Sequence, residues 1–357
     1  MKTITFLMPM RADMPSGGYK IVYEYANMLE KNGYNVNIVY PAVLLFKENS
    51  FILNVKFIRD FFVLKKTKEY LPYKWFDLNK NVKNIWIPYI NSIFIPNSDY
   101  VVATAWQTAE LMNKFSEKKG KKVYLIQGFE DFSGPKDRVI NTWKMKFNKV
   151  VIARWLKKIA DDLGEKAEVI NNPLNFNEFG VDKKIEERTN TIIMMYSEHE
   201  WKDSDIGIKA ITKVMERYKN LKVVFFSSYK RNKNIPEWVE YYENPKRELL
   251  RKLYNEAVIY VGTSKREGWG LPVSEAMQCG CSVVCTDIDG YNEVAFDNDT
   301  ALLVPSGDSD KMAEKILELL ENREKMIKIA KRGNENIQKY RPEEAFKSFE
   351  AFLNKLK

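Results

Sequence analysis

The chain has 357 residues, a formal net charge of +9, 45% hydrophobic and 29% charged residues. That length exceeds one hydrophobic core and predicts two domains. The balance excludes a disordered or fibrous chain. No apolar run approaches the roughly 18–20 residues of a membrane-spanning helix, and Thr3-Ile-Thr-Phe-Leu-Met8 is too short for a secretory signal core. An intracellular protein is the expectation.

The pattern from the start reads as a strand over 3–8, a loop with Ser16-Gly17-Gly18, and a helix near 19–31. Ile21, Tyr25, Met28 and Leu29 recur at helical spacing, and Gly33 suits the end of that helix. Apolar strands follow at Val36–Tyr40, Tyr100–Ala103, Val123–Ile126 and Val150–Ile152. Val169-Ile-Asn-Asn-Pro-Leu-Asn175 is polar, turn-prone and broken by Pro173, which marks a crossover.

A second series begins with strands 191–196, 221–226, Val258–Val261, Ser282–Cys285 and Ala301–Val304. Its helices are predicted near 203–217, 246–255, 272–279 and 309–331. Alternation of strand and helix implies parallel, doubly wound sheets. We expect an α/β chain of two Rossmann-like domains facing a central cleft. They would span residues 1–172 and 173–339, with a terminal helix over 340–357 packing back on the first. Ligands of such sheets sit beyond the carboxyl ends of the strands. Cys279, Cys281 and Cys285 are odd in number and lie in or beside one strand, so core thiols fit them better than a metal site.

The most informative stretch is Glu267-Gly-Trp-Gly-Leu-Pro-Val-Ser-Glu275-Ala-Met-Gln-Cys-Gly280. Pro272 suits the first turn of a helix, and Gly280 the left-handed residue after it. Glu267 then lies on the preceding loop and Glu275 one turn inside. Unpaired amides at the helix start form an anion site, approached closely at Gly268 and Gly270. A phosphate cradle flanked by two carboxylates suits a sugar nucleotide.

With these residues the chain resembles the retaining glycosyltransferases of family 4, which have the GT-B fold. The likeness rests on an ordered set: Gly17-Gly18, then Val169–Phe179, Lys202, Asn244-Pro245 and Leu253-Tyr254-Asn255. Its densest part is Glu267 to Glu275 with Asp287, Gly290, Glu293 and Leu303-Val304-Pro305. The resemblance implies that Glu275 binds the ribose hydroxyls and Glu267 the transferred sugar. It implies that the backbone of Gly268, Trp269, Gly270 and Leu271 holds sugar hydroxyls and the distal phosphate. Lys202 would neutralise the leaving diphosphate, approached from the other domain by Gly17 and Gly18. The chemistry would be electrostatic and metal-independent, with retained configuration.

Two departures stand out. Ser197 takes the place, five residues before Lys202, where many members carry arginine; His199, the only histidine, lies in the same loop and could donate to phosphate or be merely an exposed loop residue. The first domain also lacks the histidine that members often place near the acceptor. Gln127 occupies that position, with Glu130 or Asp131 as candidates to orient the acceptor or accept its proton. Asp-x-Asp occurs at 203/205, 287/289, 297/299 and 308/310; four copies make it a weak metal signal, and Asp308 with Ser309 reads as a helix cap.

Counting Lys and Arg against Asp and Glu, residues 1–175 carry about +10 and residues 176–357 about −1, which points to an acidic partner for one half. Lys56, Arg59, Lys65, Lys66, Lys68, Lys74, Lys80 and Lys83 interleave with Phe57, Phe61, Phe62, Tyr73, Trp75 and Trp86. A second cluster runs from Trp143 to Lys149, with Arg154, Lys157 and Lys158 beyond. Such clusters suit an anionic membrane surface or a lipid-linked acceptor better than nucleic acid; a solvated face over core aromatics is the plain alternative. The expected function is transfer of a hexose from a UDP- or GDP-sugar to a growing glycan or lipid-linked acceptor, in the cytoplasm or on the inner membrane face. No cofactor or metal is expected. A non-catalytic module binding a partner transferase or glycan is the second reading.

Overall fold

A computed structural model describes residues 1–11, 15–43 and 51–356, the side chains at 51–58 excepted. The chain divides into two compact units, residues 1–173 with 343–357, and residues 174–342.

The first unit is built on seven strands: β1 Thr3–Leu7, β2 Asn35–Pro41, β3 Lys83–Ile87, β4 Tyr100–Ala103, β5 Lys121–Ile126, β6 Asn148–Val151 and β7 Ala167–Val169. They are all parallel, in the order β3-β2-β1-β4-β5-β6-β7. Its helices are α1 Gly17–Lys31, α2 Phe51–Thr67, α3 Trp106–Met112, α4 Lys136–Trp143 and α5 Arg154–Asp162. Strand order reverses between β1 and β4, where Ile4 pairs with both Val36 and Tyr100. That reversal is the switch point at which such sheets hold ligands.

The second unit has β8 Thr191–Met195, α6 Ser204–Arg217, β9 Lys222–Ser227, β10 Glu240–Glu243, α7 Arg247–Glu256 and β11 Ile259–Gly262. It continues with α8 Leu271–Gln278, β12 Ser282–Thr286, β13 Leu302–Val304, α9 Ser309–Glu321 and α10 Arg323–Ile337. Its sheet runs β10-β9-β8-β11-β12-β13, again parallel, with the reversal between β8 and β11. Central strands buried on both faces are nearly continuous apolar runs, such as Ile192–Met194 and Ile259–Val261. Helices α6 and α9 close one face over Ile192, Met194 and Val223.

The final helix, α11 Pro342–Lys355, lies almost wholly in the first unit. Phe349 is fully buried with its ring 4.7 Å from that of Tyr25, and the Tyr100 hydroxyl donates to the Leu353 carbonyl at 3.0 Å. The predicted helix over 309–331 is in fact two. Asn322 takes φ −118° and ψ 84°, and its side chain accepts the Lys325 amide, ending α9 and capping α10. As predicted, Asp308 caps α9 by accepting the Lys311 amide at 2.8 Å.

Candidate active site

The stretch from Glu267 to Gly280 forms the loop after β11, followed by α8. Gly270 precedes the helix with φ +92°, and a β-carbon there would meet the Tyr291 ring at 2.5 Å, so only glycine fits. Pro272 sits in the first turn. The helix closes with Gly280 donating to Met277 at 3.0 Å and Cys281 to Ala276 at 2.9 Å, the paired bonds of a Schellman end. Glu267 thus stands on the loop and Glu275 one turn inside the helix. The Trp269 side chain is buried, its indole donating to Ser274 Oγ at 3.0 Å and meeting Tyr340 edge-on. That leaves its backbone, with Gly268, Gly270 and Leu271, to shape the turn. Amides of the first helical turn have no partner within the helix, which makes this end receptive to anions.

Two side chains hold the Glu267 carboxylate directly. Lys202 Nζ lies 2.5 Å from Oε1, and Ser264 Oγ donates to the same oxygen at 2.7 Å. The Tyr291 hydroxyl donates to Ser264 Oγ at 3.0 Å, completing a relay. Burial, with Glu267 nearby, pushes the Tyr291 phenol well above its ordinary pKa, so it remains a donor. The loops themselves are joined: Thr263 Oγ1 donates to the Lys202 carbonyl at 2.6 Å, and the Lys265 amide to the Trp201 carbonyl at 2.8 Å. Gly290 lies so close that a β-carbon there would be 2.3 Å from the Glu267 carbonyl oxygen. Lys202, expected to face a diphosphate, therefore reaches the loop through Glu267. Sequence reasoning gave no role to Ser264 or Tyr291.

Glu275 is 5% exposed. The Tyr254 hydroxyl donates to Oε2 at 3.4 Å, and Arg247 Nη1 stands 3.8 Å from Oε1. The same guanidinium bonds Glu178 through Nε at 2.9 Å and lies over the Phe179 ring. Arg247, Arg251 and Asn255 recur every four residues along α7. Arg251 pairs with Asp182, and Asn255 accepts the amides of Asp182 and Lys183.

The loop after β8 carries Ser197 and His199. Ser204 Oγ bonds both the amide and the carbonyl of Ser197, at 2.9 and 3.0 Å. The His199 ring stacks on Trp201 with centroids 4.1 Å apart, and its Nε2 shares a hydrogen with the Tyr229 hydroxyl at 3.0 Å. Desolvation, and then the Lys202 charge, lower its pKa, so the ring is neutral at pH 7. The Asp-x-Asp residues serve other ends: Asp203 pairs with Lys265, Asp287 accepts from Asn292, Asp299 pairs with Arg332, and Asp310 pairs with Lys213. Among the described residues no three His, Cys, Asp or Glu side chains form a cluster able to hold a metal.

In the first unit, Gly17 and Gly18 open α1 just beyond β1. The Gln127 amide approaches to 3.5 Å from where a Gly18 β-carbon would stand, so these two predicted residues do meet. Glu130 accepts the Trp106 amide at 2.7 Å, at the start of α3. Its side chain keeps partial exposure, yet the protein around the carboxylate pushes its pKa from 4.5 to about 7. Gln127, Glu130 and the glycine pair all lie at the carboxyl ends of β1 and β5.

The basic clusters come apart in part. Trp143 is core, and Lys149 is buried with its amine 2.8 Å from Glu165, so neither belongs to a basic face. Trp86 is also buried, stacked between Phe61 and Tyr70. The exposed remainder on α2 is Arg59, Phe62, Val63, Lys65 and Lys66, with Phe62 61% exposed. The side chains of Lys56 and Phe57 fall outside the described residues. Among the described residues no helix is long and apolar enough to cross a membrane.

Residues 176–336 match the model of the family described as glycosyl transferases group 1. The O-antigen chain mannosyltransferase B of Escherichia coli is 36% identical over 85 residues, 24% of this chain and 22% of that protein. The phosphatidyl-myo-inositol mannosyltransferase of Mycolicibacterium smegmatis is 34% identical over 74 residues, 21% of this chain and 19% of its own length. These matches thus span about a fifth of each relative. Among solved structures, Anabaena HepE in complex with UDP-glucose superposes with a TM-score of 0.73 at 15% identity, covering 100% of both chains. Sucrose-phosphate synthase of Thermosynechococcus elongatus gives 0.74 at 14% identity, over 100% of this chain and 99% of that one. With two parallel sheets of this order and these superpositions the chain has the GT-B fold, and residues 176–336, somewhat under half of it, match the glycosyl transferases group 1 family.

Proposed function

We propose that this protein transfers a hexose from a nucleotide-diphosphate sugar to a glycan or lipid-linked acceptor, with retention and without a metal. The observation that carries the reading is the pairing, on one short loop and helix, of Glu267 held beside Lys202 with the buried Glu275 of α8. In this reading Glu275 accepts from the ribose hydroxyls and the amides opening α8 take the distal phosphate. Lys202 stabilises charge building on the diphosphate as its bond to the anomeric carbon breaks. The acceptor oxygen then bonds that carbon from the same face, and its proton leaves with the diphosphate. Glu267 orients the sugar. Gln127 and Glu130 are the acceptor-side candidates, supported by their place at the strand ends. That HepE is solved with UDP-glucose favours a UDP-sugar as the first donor to try.

Titration calorimetry with UDP and GDP, followed by turnover of the matching sugar nucleotide, tests the reading. Glu275→Ala is expected to weaken nucleotide binding on the order of 10- to 100-fold, the worth of hydrogen bonds to a charged group. Lys202→Ala is expected to reduce turnover on the order of 100-fold or more, as loss of a transition-state charge partner does. Unchanged binding by Glu275→Ala sinks the site. Binding with neither transfer nor hydrolysis points instead to a non-catalytic module.

A further inference from the structure

We infer that Tyr340 is a positioning residue for the donor loop: through the buried ring of Trp269 it sets the turn Gly268–Leu271 that would meet the distal phosphate of a nucleoside diphosphate. The inference rests on the donor reading above and adds a residue to which the sequence gave no role.

Trp269 is the large side chain of that turn, with a glycine on each side. Glycine leaves the backbone the most freedom, so the placement of the turn depends on where the Trp269 ring is held. One anchor is local: the indole donates to Ser274 Oγ at 3.0 Å, in the helix that the turn opens. That bond moves with α8 and by itself does not fix the turn within the unit. Tyr340 supplies a distant anchor. Its ring meets the indole edge-on, with centroids 4.9 Å apart and planes at 88°. An aromatic pair favours this arrangement, positive edge against negative face. Both side chains are buried, so water does not compete for the contact.

The Tyr340 ring is itself fixed at several points. Its hydroxyl donates to the Glu293 carbonyl at 2.8 Å. Glu293 closes the short helical turn Tyr291–Glu293, whose Tyr291 ring lies against Gly270. That turn thus touches the donor loop at one end and Tyr340 at the other. The Lys339 amine stands 5.0 Å from the Tyr340 ring centre. Along the backbone, the Tyr340 amide donates to the Ile337 carbonyl at 3.2 Å, and its carbonyl accepts the Leu174 amide at 2.9 Å. Leu174 and Pro342 bound the second unit, so Tyr340 stands where the chain enters and leaves it. A side chain held on so many sides shifts little, which is what supporting a glycine-flanked turn requires.

The test compares UDP with UMP, and GDP with GMP, by calorimetry on the full chain; each pair differs by the distal phosphate alone. The wild type is expected to bind the diphosphate more tightly by on the order of tenfold or more, the worth of hydrogen bonds to a charged group. In Tyr340→Leu, which removes the ring, the diphosphate affinity should fall toward that of the monophosphate, whose own affinity stays unchanged. Tyr340→Phe keeps the ring and removes only the bond to Glu293, and should lose the preference in part. Melting temperatures without nucleotide show whether each variant has folded; if Tyr340→Leu has not, Tyr340→Phe decides. A preference undiminished in every folded variant overturns the inference. So does an equal loss for both nucleotides, which marks a general support of the fold. A wild type that binds both equally overturns the phosphate role of the loop and the inference with it. Absence of any nucleotide binding overturns the donor reading itself.

Discussion

Glu130 accepts the Trp106 amide at the start of α3, and its own protonation is linked to folding. With a pKa raised from 4.5 to about 7 by burial, the folded protein binds a proton that the unfolded chain has released between those values. The group's stabilising contribution is therefore complete below about pH 4.5 and is lost as pH rises through about 7. Glu130→Gln keeps an acceptor for the Trp106 amide but cannot ionise. The variant should gain in melting temperature over wild type as pH goes from 5 to 8, and show little difference at pH 5. A difference that stays flat across that range would contradict the raised pKa. The sequence names Glu130 as a candidate but reveals no such shift, since its pKa is set by the neighbours that the β4–α3 and β5–α4 connections bring around it. Glu267 and Glu275 were legible because their geometry is local, a loop and the helix it opens. Ser264, Tyr291 and Arg247 were not, because each reaches the site through strands or helices whose packing no spacing reports.

At the scale of elements, what the sequence made legible follows burial. Central strands such as β1, β8 and β12 are buried along nearly their whole length and read as apolar runs. The hydrophobic pattern of the sequence does not predict strands β3, β7 and β10. All three lie at sheet edges and are partly exposed, with β10 reading Glu-Tyr-Tyr-Glu. An edge strand need not be apolar, and charge there discourages pairing with another chain. Helix α2 is a comparable case, since Phe61 packs on Trp86 while Phe62 and Val63 face outward beside Arg59, Lys65 and Lys66. We propose this exposed stretch as the surface that meets an anionic membrane, each basic residue near it adding about 1 kcal/mol of attraction. Co-sedimentation with vesicles containing phosphatidylserine should exceed that with phosphatidylcholine vesicles. It should fall with salt and with Lys65→Glu/Lys66→Glu. Equal sedimentation with both vesicle types would leave this face a plain solvated one.

At the scale of the whole molecule, the two units have separate cores, so their stabilities are separable. Phe349→Ala removes a fully buried ring that packs on Tyr25, a change that typically costs about 3–5 kcal/mol. It should lower the unfolding temperature of the first unit while leaving nucleotide affinity, which the proposed reading places in the second, near that of wild type. Scanning calorimetry with and without nucleotide separates the two, because ligand raises only the transition of the unit it binds. Loss of nucleotide affinity in the folded variant would place part of the donor site outside residues 174–342. Residues 174–342 are continuous in the chain, whereas the first unit is interrupted by them. During synthesis α11 is made after the whole of the second unit, so the N-terminal unit, which emerges first, is the last to be finished. Until then Tyr25 lacks the ring it packs against and Tyr100 lacks its acceptor. The order of translation thus makes residues 174–342 ready before the unit that precedes them.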